Sequence, residues 1–255
     1  MLRGKKHQAI RPLLSDSAIW CDANDCYNCL PRELRERYQI VETPNVSAHG
    51  YDHFAQAIVT RFRTGWVLDC GAGSRGDFFP NVVNLEVADY PSTDVLGVAE
   101  ELPFRDNSFD GALCMNVLEH VRDPFKAARE IARVLKPGGE LYCVAPLLQP
   151  VHGFPHHYYN MTSHGLMNLF SGLLTIDKPL LLETGLPIWS LTWMLKRWHQ
   201  GLPPGERQDF REMRVGDLLG DPMEYLKRPF VTELPNDLNY ELASTTGILA
   251  SKPGA

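Results

Sequence analysis

The apolar residues of this chain fall into short continuous runs separated by segments with helical spacing. The runs are rich in β-branched residues and predict strands over 66–70, 82–88, 94–98, 111–115 and 140–146. Because helical segments lie between strands, the pattern predicts an α/β fold with a doubly wound, mostly parallel sheet. Ligands of such sheets bind outside the carboxyl ends of the strands.

Three helices are predicted beside these strands. The first covers 51–62, where Phe54, Ile58 and Phe62 share one face. The second begins with Asp123 as N-cap and Pro124 in the first turn, and the segment 137–139 ends it. Its expected apolar stripe consists of Phe125, Ala128, Ile131, Ala132 and Leu135. The third runs from Thr162 to Gly172.

The two ends of the chain have weaker patterns. Residues 1–50 show little periodicity beyond a short helix in 31–38, so they are interpreted as a partly irregular N-terminal extension. The runs 173–185 and 241–252 are interpreted as further strands. We therefore expect residues 51–255 to form one domain whose tail joins the same sheet.

The composition of the chain excludes some classes of protein but does not indicate a function. The chain has 255 residues, 44% of them hydrophobic and 22% charged, as is ordinary for a globular protein. Its net charge of −6 offers no basic footprint for nucleic acid. The most apolar late stretch, 186–198, is too short to span a bilayer, and no signal peptide is evident. We expect a cytoplasmic protein, with its oligomeric state left open.

Three of the six cysteines form a spaced group near the N-terminus. Cys21, Cys26 and Cys29 have C-x4-C-x2-C spacing, which is compatible with zinc or an iron–sulfur cluster. A four-ligand site needs one more partner, and no second C-x2-C pair follows. The alternative is a cysteine-bearing loop in a reducing compartment.

The run 67–76 reads VLDCGAGSRG, a glycine loop directly after an apolar run. Such a loop can bind a dinucleotide if it opens a helix that crosses to the next strand. Only about ten residues separate the two strands, which leaves room for one irregular turn at most. This crossover argues against a dinucleotide oxidoreductase.

Several segments in order carry a resemblance to a known family. They are VLDCGAGS, an acid ending the second strand (Glu86), AEELPFRDNSFD (99–110), NVLEHV (116–121) and LKPGGELY (135–142). This series resembles class I S-adenosylmethionine-dependent methyltransferases of the small-substrate type over about residues 66–170. The resemblance implies a Rossmann-like sheet of seven strands with helices on both faces, and S-adenosylmethionine as cofactor.

The resemblance also implies which residues hold the cofactor. Gly71 and Gly73 would let the backbone approach its methionine part, with Asp69 orienting the loop or meeting the amino group through water. Glu86 would accept the ribose hydroxyls. Val98 departs from the family, which often has an acid there, so adenine would rely on neighbouring groups. The complete expected set is Asp69, Gly71, Ala72, Gly73, Glu86, Ala99, Glu100, Cys114, Met115 and Asn116.

Histidines crowd the segment after the fifth predicted strand. The candidates for a general base are His152, His156 and His157, beside Tyr158 and Tyr159. The alternative for any one of them is a histidine satisfied by loop hydrogen bonds. Residues 176–240 are expected to cover the acceptor pocket.

A metal is a further possibility that the sequence leaves open. The segment NVLEH is similar to the E-x-x-E-H of divalent-metal-dependent O-methyltransferases, with Glu119 and His120 matching and Asn116 replacing the first Glu. A histidine from 152–157 would complete a site for Mg²⁺ or Mn²⁺. The same L-E-H also occurs in metal-free members, and we assign no metal ligand.

The sequence as a whole predicts methyl transfer to a small-molecule acceptor, with a hydroxyl of a small molecule or sugar as the expected acceptor group. Two alternatives use the same cofactor site. One is an enzyme of another reaction type, such as cyclisation of the aminobutyryl group, and the other is a catalytically silent binding subunit.

Overall fold

The structure is a computed structural model that describes residues 2–23, 25–41, 48–153 and 156–248. It divides into two compact units. The first comprises Met1–Leu147 and Gly153–Pro179, and the second comprises Leu148–His152 and Leu180–Ala255. Residues on both sides of the expected boundary at residue 50 therefore belong to the same unit. Residues 180–255, in contrast, belong to the second unit.

A seven-stranded sheet forms the centre of the first unit, in the order β1-β2-β5-β4-β3-β6-β7. The strands are β1 (Ile19–Cys21), β2 (Cys26–Asn28), β3 (Val67–Cys70), β4 (Val82–Glu86), β5 (Val95–Leu96), β6 (Phe109–Met115) and β7 (Leu135–Val144). Only the β1–β2 pair is antiparallel. The mostly parallel sheet and the five strands predicted between 66 and 146 are confirmed.

Helices pack on both faces of this sheet. Those of the first unit are α1 (Leu2–Ile10), α2 (Arg32–Arg37), α3 (His53–Arg61), α4 (Pro124–Val134) and α5 (Ser163–Phe170). Gly111 of β6 faces α3, since a Cβ there would lie 2.8 Å from the side chain of Ile58. The next residue, Ala112, points to the opposite face and shares a buried core with Ile131 of α4.

The predicted N-caps Asp123 and Thr162 are confirmed, and Asp52, for which no cap was predicted, caps the helix α3. Asp52 accepts hydrogen bonds from the amides of the first turn of α3, Asp123 accepts from Lys126 N, and Thr162 Oγ1 accepts from Gly165 N. Each cap satisfies an amide that has no partner inside its helix.

The apolar face of α4 differs in part from the expected stripe. Its buried residues are Pro124, Ala127, Ala128, Ile131 and Val134. Phe125 is 47% exposed. Leu135 already belongs to β7, because its extended backbone ends the helix.

The segment 137–139 was expected to end α4 and separate it from the next strand. It lies inside β7 instead. Phe109 pairs with Leu135 and Gly111 with Glu140, so four residues of β7 bulge out opposite one of β6. Pro137 lacks an N–H for the ladder and Gly138 has φ +79°, which fits both residues to the bulge.

The N-terminal segment belongs to the sheet instead of being a separate extension. β2 pairs with β5, and β1 closes that edge as an antiparallel hairpin strand. A buried ion pair also fixes α1, since Lys6 Nζ lies 2.5 Å from the carboxylate of Asp94. The predicted helix in 31–38 is α2.

The N-terminal cysteines lie on and beside the hairpin, and they form no disulfide among the residues that the structure describes. Cys21 of β1 and Cys26 of β2 are register partners. Cys29 follows β2, and burial raises its pKa to about 11, which favours the neutral thiol. The expected cysteine-bearing loop is corrected in part, since Cys21 and Cys26 lie on strands.

The second unit is helical. It contains α6 (Pro187–Gly201), α7 (Pro204–Glu212), α8 (Pro229–Thr232) and α9 (Asn236–Glu241), with 3-10 turns at Glu183–Gly185, Val215–Leu218 and Pro222–Glu224. Its core consists of Leu202, Phe210, Phe230, Leu234, Leu238 and Leu242. Trp198 packs on this core and donates to Phe230 O at 2.7 Å.

The two strands predicted for the tail were wrong where the structure describes them. Residues 173–185 and 241–248 contain no strand, while 249–252 lie outside the described residues. Pro179 interrupts the first run and has no N–H for a ladder. Leu242 ends a set spaced by four with Leu234 and Leu238, which is helical spacing and buries all three. No helix among the described residues is both long and apolar enough to cross a bilayer.

Candidate functional site

The strand order of the sheet reverses at β3. From β3 the chain adds β4 and β5 on one side and then β6 and β7 on the other. The carboxyl ends of these parallel strands therefore lie along one edge, with β3 at the point of reversal. A crevice at such a point is where doubly wound folds bind ligands.

The glycine loop after β3 contains no helix, as the short crossover predicted. Gly71 has φ +72° and Gly73 has φ +65°, conformations that residues with a Cβ rarely adopt. A Cβ on Gly71 would lie 2.4 Å from the side chain of Val117, which follows β6. The amides of Gly71 and Ala72 both donate to Leu85 O, at 3.0 and 3.1 Å. The loop is thus held flat against the sheet edge.

Asp69, at the end of β3, is completely buried. Its Oδ2 accepts hydrogen bonds from Tyr51 Oη at 2.6 Å and from Arg75 Nε at 2.9 Å. Its Oδ1 has no hydrogen-bond partner among the described residues. Burial raises the pKa of this carboxyl and Arg75 partly offsets that shift. Oδ1 is therefore a buried acceptor that could bind a hydrogen-bond donor of a ligand.

Tyr51 and Arg75 were not predicted as site residues. The Arg75 guanidinium stacks 4.6 Å from the centre of the Tyr51 ring, and its Nη1 donates to His49 O. A sequence signal existed for Arg75, since it stands in the glycine loop close to a buried acid. Tyr51 lies 18 residues from Asp69, and nothing local marked it.

Glu86 ends β4 as expected, and its carboxylate bridges to the glycine loop. Oε2 accepts from Gly73 N at 2.8 Å and Oε1 accepts from Val87 N at 2.7 Å. Burial raises its pKa and these backbone amides oppose that shift. Each oxygen keeps a further lone pair, so the carboxylate can still accept from two hydroxyls.

The residues after β5 are buried. Ala99 is 5% exposed and Glu100 is 3% exposed. Glu100 Oε1 accepts from Arg122 N at 3.0 Å, so this carboxylate holds the loop before α4. Its expected contact with adenine stays a prediction.

The residues at the end of β6 differ from one another. The Cys114 side chain is fully buried in the core, next to the Cys70 side chain and to its register partner Cys143, so it lines no cleft, contrary to expectation. Met115 points to the other face and is partly exposed. Asn116 is exposed with φ +55°. A left-handed residue other than glycine at a strand end is typical of functional sites.

Glu119 is completely buried just beyond Asn116. Desolvation raises the pKa of its carboxyl to about 8. Its carboxylate lies 3.8 Å from His120 Nε2. Its carbonyl accepts from Tyr158 N at 2.7 Å and from Tyr159 N at 3.3 Å, which ties the segment 156–161 to the end of β6.

Two of the predicted histidines lie in this segment. His120 Nδ1 bonds with His156 O at 2.8 Å, and the ring of His120 lies 5.4 Å from that of His157, edge to face. His157 Nε2 contacts Asn160 Oδ1 at 2.9 Å. His156 stacks on Tyr158. The buried Nε2 of His156 and Oη of Tyr158 have no hydrogen-bond partner among the described residues.

His152 belongs to the second unit, where its Nδ1 contacts Pro150 O at 2.9 Å. The structure of the first unit brings together His120, His156 and His157 but does not test a role for His152. Within that unit Glu119 and His120 are the two residues that match a metal motif. A metal site stays a prediction.

Comparison with known proteins is consistent with this geometry. Residues 75–143 match the family model described as "Methyltransferase domain". An uncharacterized methyltransferase of Mycobacterium bovis is 41% identical over 29% of this chain and 37% of its own length. The demethylmenaquinone methyltransferase of Bacillus licheniformis is 33% identical over 32% of this chain and 38% of its own length. The chain thus spans well under half the length of these curated relatives.

Solved structures give only a distant likeness. A possible histamine N-methyltransferase of Thermotoga maritima is 23% identical, with a TM-score of 0.33 over 47% of this chain and 70% of that one. Such values say nothing about the substrate. The family match places a methyltransferase domain at residues 75–143, and the motifs around the glycine loop are similar to those of class I S-adenosylmethionine-dependent methyltransferases.

Proposed function

We propose that the protein transfers the methyl group of S-adenosylmethionine to a hydroxyl of a small molecule or sugar. The observation that carries this proposal is the glycine loop at the reversal point of the sheet, next to a buried Asp69 oxygen without a donor. The short crossover after β3 supports this cofactor over a dinucleotide, which needs a helix at its diphosphate.

The residues present fit this cofactor. Gly71 and Gly73 both have left-handed backbone conformations, and a Cβ on Gly71 would clash with Val117. Asp69 offers an acceptor for an ammonium group, and Glu86 offers lone pairs for two ribose hydroxyls. These residues lie at the carboxyl ends of adjacent strands, so one extended ligand can reach both.

The bound sulfonium supplies an already activated methyl group. The chain must then align the acceptor in line with that methyl, exclude water and receive one proton. His156 is our candidate for the base, because its Nε2 is buried and has no partner among the described residues. His157 lies in the same cluster with His120 and is the second candidate.

The names of the relatives raise a carbon acceptor as the main competitor. Two of them are a demethylmenaquinone methyltransferase and a ubiquinone/menaquinone biosynthesis C-methyltransferase, the latter from Haemophilus ducreyi. A base that takes a hydroxyl proton from an electron-rich ring would serve such a carbon too. The geometry of the histidine segment therefore fits a hydroxyl acceptor and a carbon acceptor alike. The position of the methyl group in the product distinguishes the two.

A transfer assay with methyl-labelled S-adenosylmethionine tests this proposal. The acceptor panel contains sugars, simple phenols and a reduced quinone, each with and without a chelator. We expect label in an O-methyl product, with no loss on chelation. Label at carbon would contradict the hydroxyl assignment. Cofactor consumed without label transfer would contradict methyl transfer itself.

A further inference from the structure

The segment 180–193 of the second unit exposes a large amount of apolar surface. Glu183 is its one charged residue. Seven of its residues are large apolar side chains at least 37% exposed, among them Leu181 at 72%, Ile188 at 60% and Trp189 at 42%. Contiguous exposed apolar surface marks sites of protein or membrane interaction.

This apolar surface stands on regular structure. The turn before α6 is bonded to the helix, since Gly185 N donates to Leu182 O at 2.9 Å and Trp189 N donates to Leu186 O at 3.0 Å. The rings of Trp189 and Trp193 lie 5.8 Å apart, edge to face. The apolar side chains are therefore presented by an ordered turn and helix, and not by an irregular loop.

The two halves of α6 differ in what covers them. In the C-terminal half, Met194, Leu195 and Trp198 pack against the core of the second unit. In the N-terminal half, Ile188, Trp189 and Leu191 point in three directions around the axis, at about 100° per residue. A helix that is apolar on all sides is normally buried, yet no residue of α6 is. The N-terminal half therefore lacks a cover in the part of the chain that the structure describes.

The tryptophans favour a bilayer surface as that cover. The indole N–H of Trp198 donates to Phe230 O, whereas those of Trp189 and Trp193 donate to no residue that the structure describes. At the headgroups of a bilayer an indole buries its ring and keeps its N–H hydrated. A dry protein interface would instead have to supply an acceptor for each N–H.

The charges beside this segment complement an anionic surface. α6 contains Lys196 and Arg197 and no acidic residue. Arg197 is paired with Glu241 at 2.5 Å, while the exposed Lys196 makes no ion pair within the described ranges. Lys196 follows Trp193 by three residues and so lies on the same side of the helix. Its long side chain reaches headgroups that the tryptophans contact.

We propose that residues 180–193 bind the surface of a lipid bilayer that contains anionic phospholipids. α6 lies along that surface, with its N-terminal half in the headgroup region and Lys196 beside the phosphates. This binding goes beyond the proposed methyl transfer and does not depend on it.

Flotation of the full chain with vesicles tests this proposal. We expect wild type to float with vesicles of equal parts phosphatidylcholine and phosphatidylglycerol. It should bind pure phosphatidylcholine about fivefold more weakly, the effect of one lysine near a charged surface. Lys196→Gln should bind the two vesicles with equal affinity. Trp189→Ser/Trp193→Ser should weaken binding to both by about tenfold or more.

Quenching of tryptophan fluorescence by lipid with brominated acyl chains gives a second readout. We expect quenching in wild type and its loss in Trp189→Ser/Trp193→Ser, although three of the five tryptophans remain. Leu219→Ser/Met223→Ser is the matched control, since these side chains are 78% and 71% exposed. The control should behave as wild type, because Asp221 lies between the two positions and is repelled by an anionic surface.

Several results would overturn the proposal, with folding of each variant checked by circular dichroism. One is a folded wild type that floats with neither vesicle, or that floats without being quenched. Another is an equal loss of binding in the control and in Trp189→Ser/Trp193→Ser. A dimer without lipid, dissociated by Trp189→Ser/Trp193→Ser in light scattering, would assign the surface to a second copy of the chain instead.

Discussion

The two halves of the candidate site differ in how their polar groups are satisfied. The cofactor side, defined as Asp69, Gly71, Gly73, Arg75 and Glu86, is a network in which backbone amides and charged groups fix one another. The acceptor side is defined as Glu119, His120, His156, His157 and Tyr158. There the contacts of the side chains are mainly ring to ring and ring to carbonyl.

This difference suits two kinds of ligand. A site that always binds the same cofactor benefits from rigid binding groups, because little conformational entropy is then lost when the cofactor binds. Buried Nε2 of His156 and Oη of Tyr158, which lack partners among the described residues, leave polar capacity for a substrate. Changes on the cofactor side should therefore affect affinity for S-adenosylhomocysteine, and changes on the acceptor side should affect transfer.

The largest effect is expected from Gly71→Ala. The new methyl group would lie 2.4 Å from Val117, and φ +72° costs a residue with a Cβ about 1–2 kcal/mol. We expect binding of S-adenosylhomocysteine to be lost in a calorimetric titration. Gly76→Ala is the matched control in the same loop, because a Cβ there meets nothing within 4 Å. Equal binding by both variants would remove our assignment of the loop.

His156→Ala should have the next largest effect, and on transfer alone. Loss of a general base slows a reaction by about 10²–10⁴-fold. Affinity for S-adenosylhomocysteine should stay within about twofold, because His120 bonds to the backbone oxygen of residue 156 and not to its side chain. His164→Ala on the exposed face of α5 is the control. Unchanged transfer in His156→Ala would shift the role to His157 or His152.

Glu86→Gln should weaken the cofactor side by about tenfold, since a charge-assisted acceptor becomes a neutral one. The variant should weaken the binding of S-adenosylhomocysteine and of 5′-methylthioadenosine, which lacks the amino-acid end, equally, because both ligands carry the ribose. A loss confined to S-adenosylhomocysteine would place Glu86 near the amino-acid end instead. Competition binding with the two ligands measures this directly.

The last effect concerns the stability of the fold and its dependence on pH, and it leaves cofactor binding and transfer aside. The pKa of Glu119 in the folded chain is about 8, above its ordinary value. The folded state keeps this proton while the unfolded chain loses it, so stability falls as pH rises from about 4 to 8, by at most about 1.4 kcal/mol per unit. The stabilisation that comes from this retained proton is complete below about pH 4 and is lost above about pH 8.

Urea unfolding at pH 5 and pH 8 checks this. Glu119→Gln cannot lose a proton, so its stability should decline less between the two values than that of wild type. Glu33→Gln, at an exposed position of α2, should behave as wild type. Identical pH dependence in wild type and Glu119→Gln would contradict the burial of a neutral carboxyl.

The sheet was predictable where strands are central. Buried parallel strands such as β3 and β6 are continuous apolar runs, and caps such as Asp123 mark the helices between them. β1 and β2 are three residues each, too short for any periodicity to show. In the tail, the run 241–252 was assigned to a strand although Leu242 continues the helical spacing of Leu234 and Leu238.

The candidate site was predictable in part, for a related reason. The glycines and acids follow strands directly, so local sequence indicates their position. Arg75 and Tyr51 matter through contacts that only folding creates. Cys114 was assigned to the cleft because it ends a strand, but alternation points its side chain into the core. The pocket role of 176–240 and the cytoplasmic location stay predictions.

The most direct test of the central claim is a calorimetric titration of the folded protein with S-adenosylhomocysteine, with NADH as the competing ligand. We predict binding of S-adenosylhomocysteine at micromolar concentration or below, unchanged by a chelator, and no heat from NADH. Binding of NADH alone, or of neither ligand, would contradict the assignment of the glycine loop.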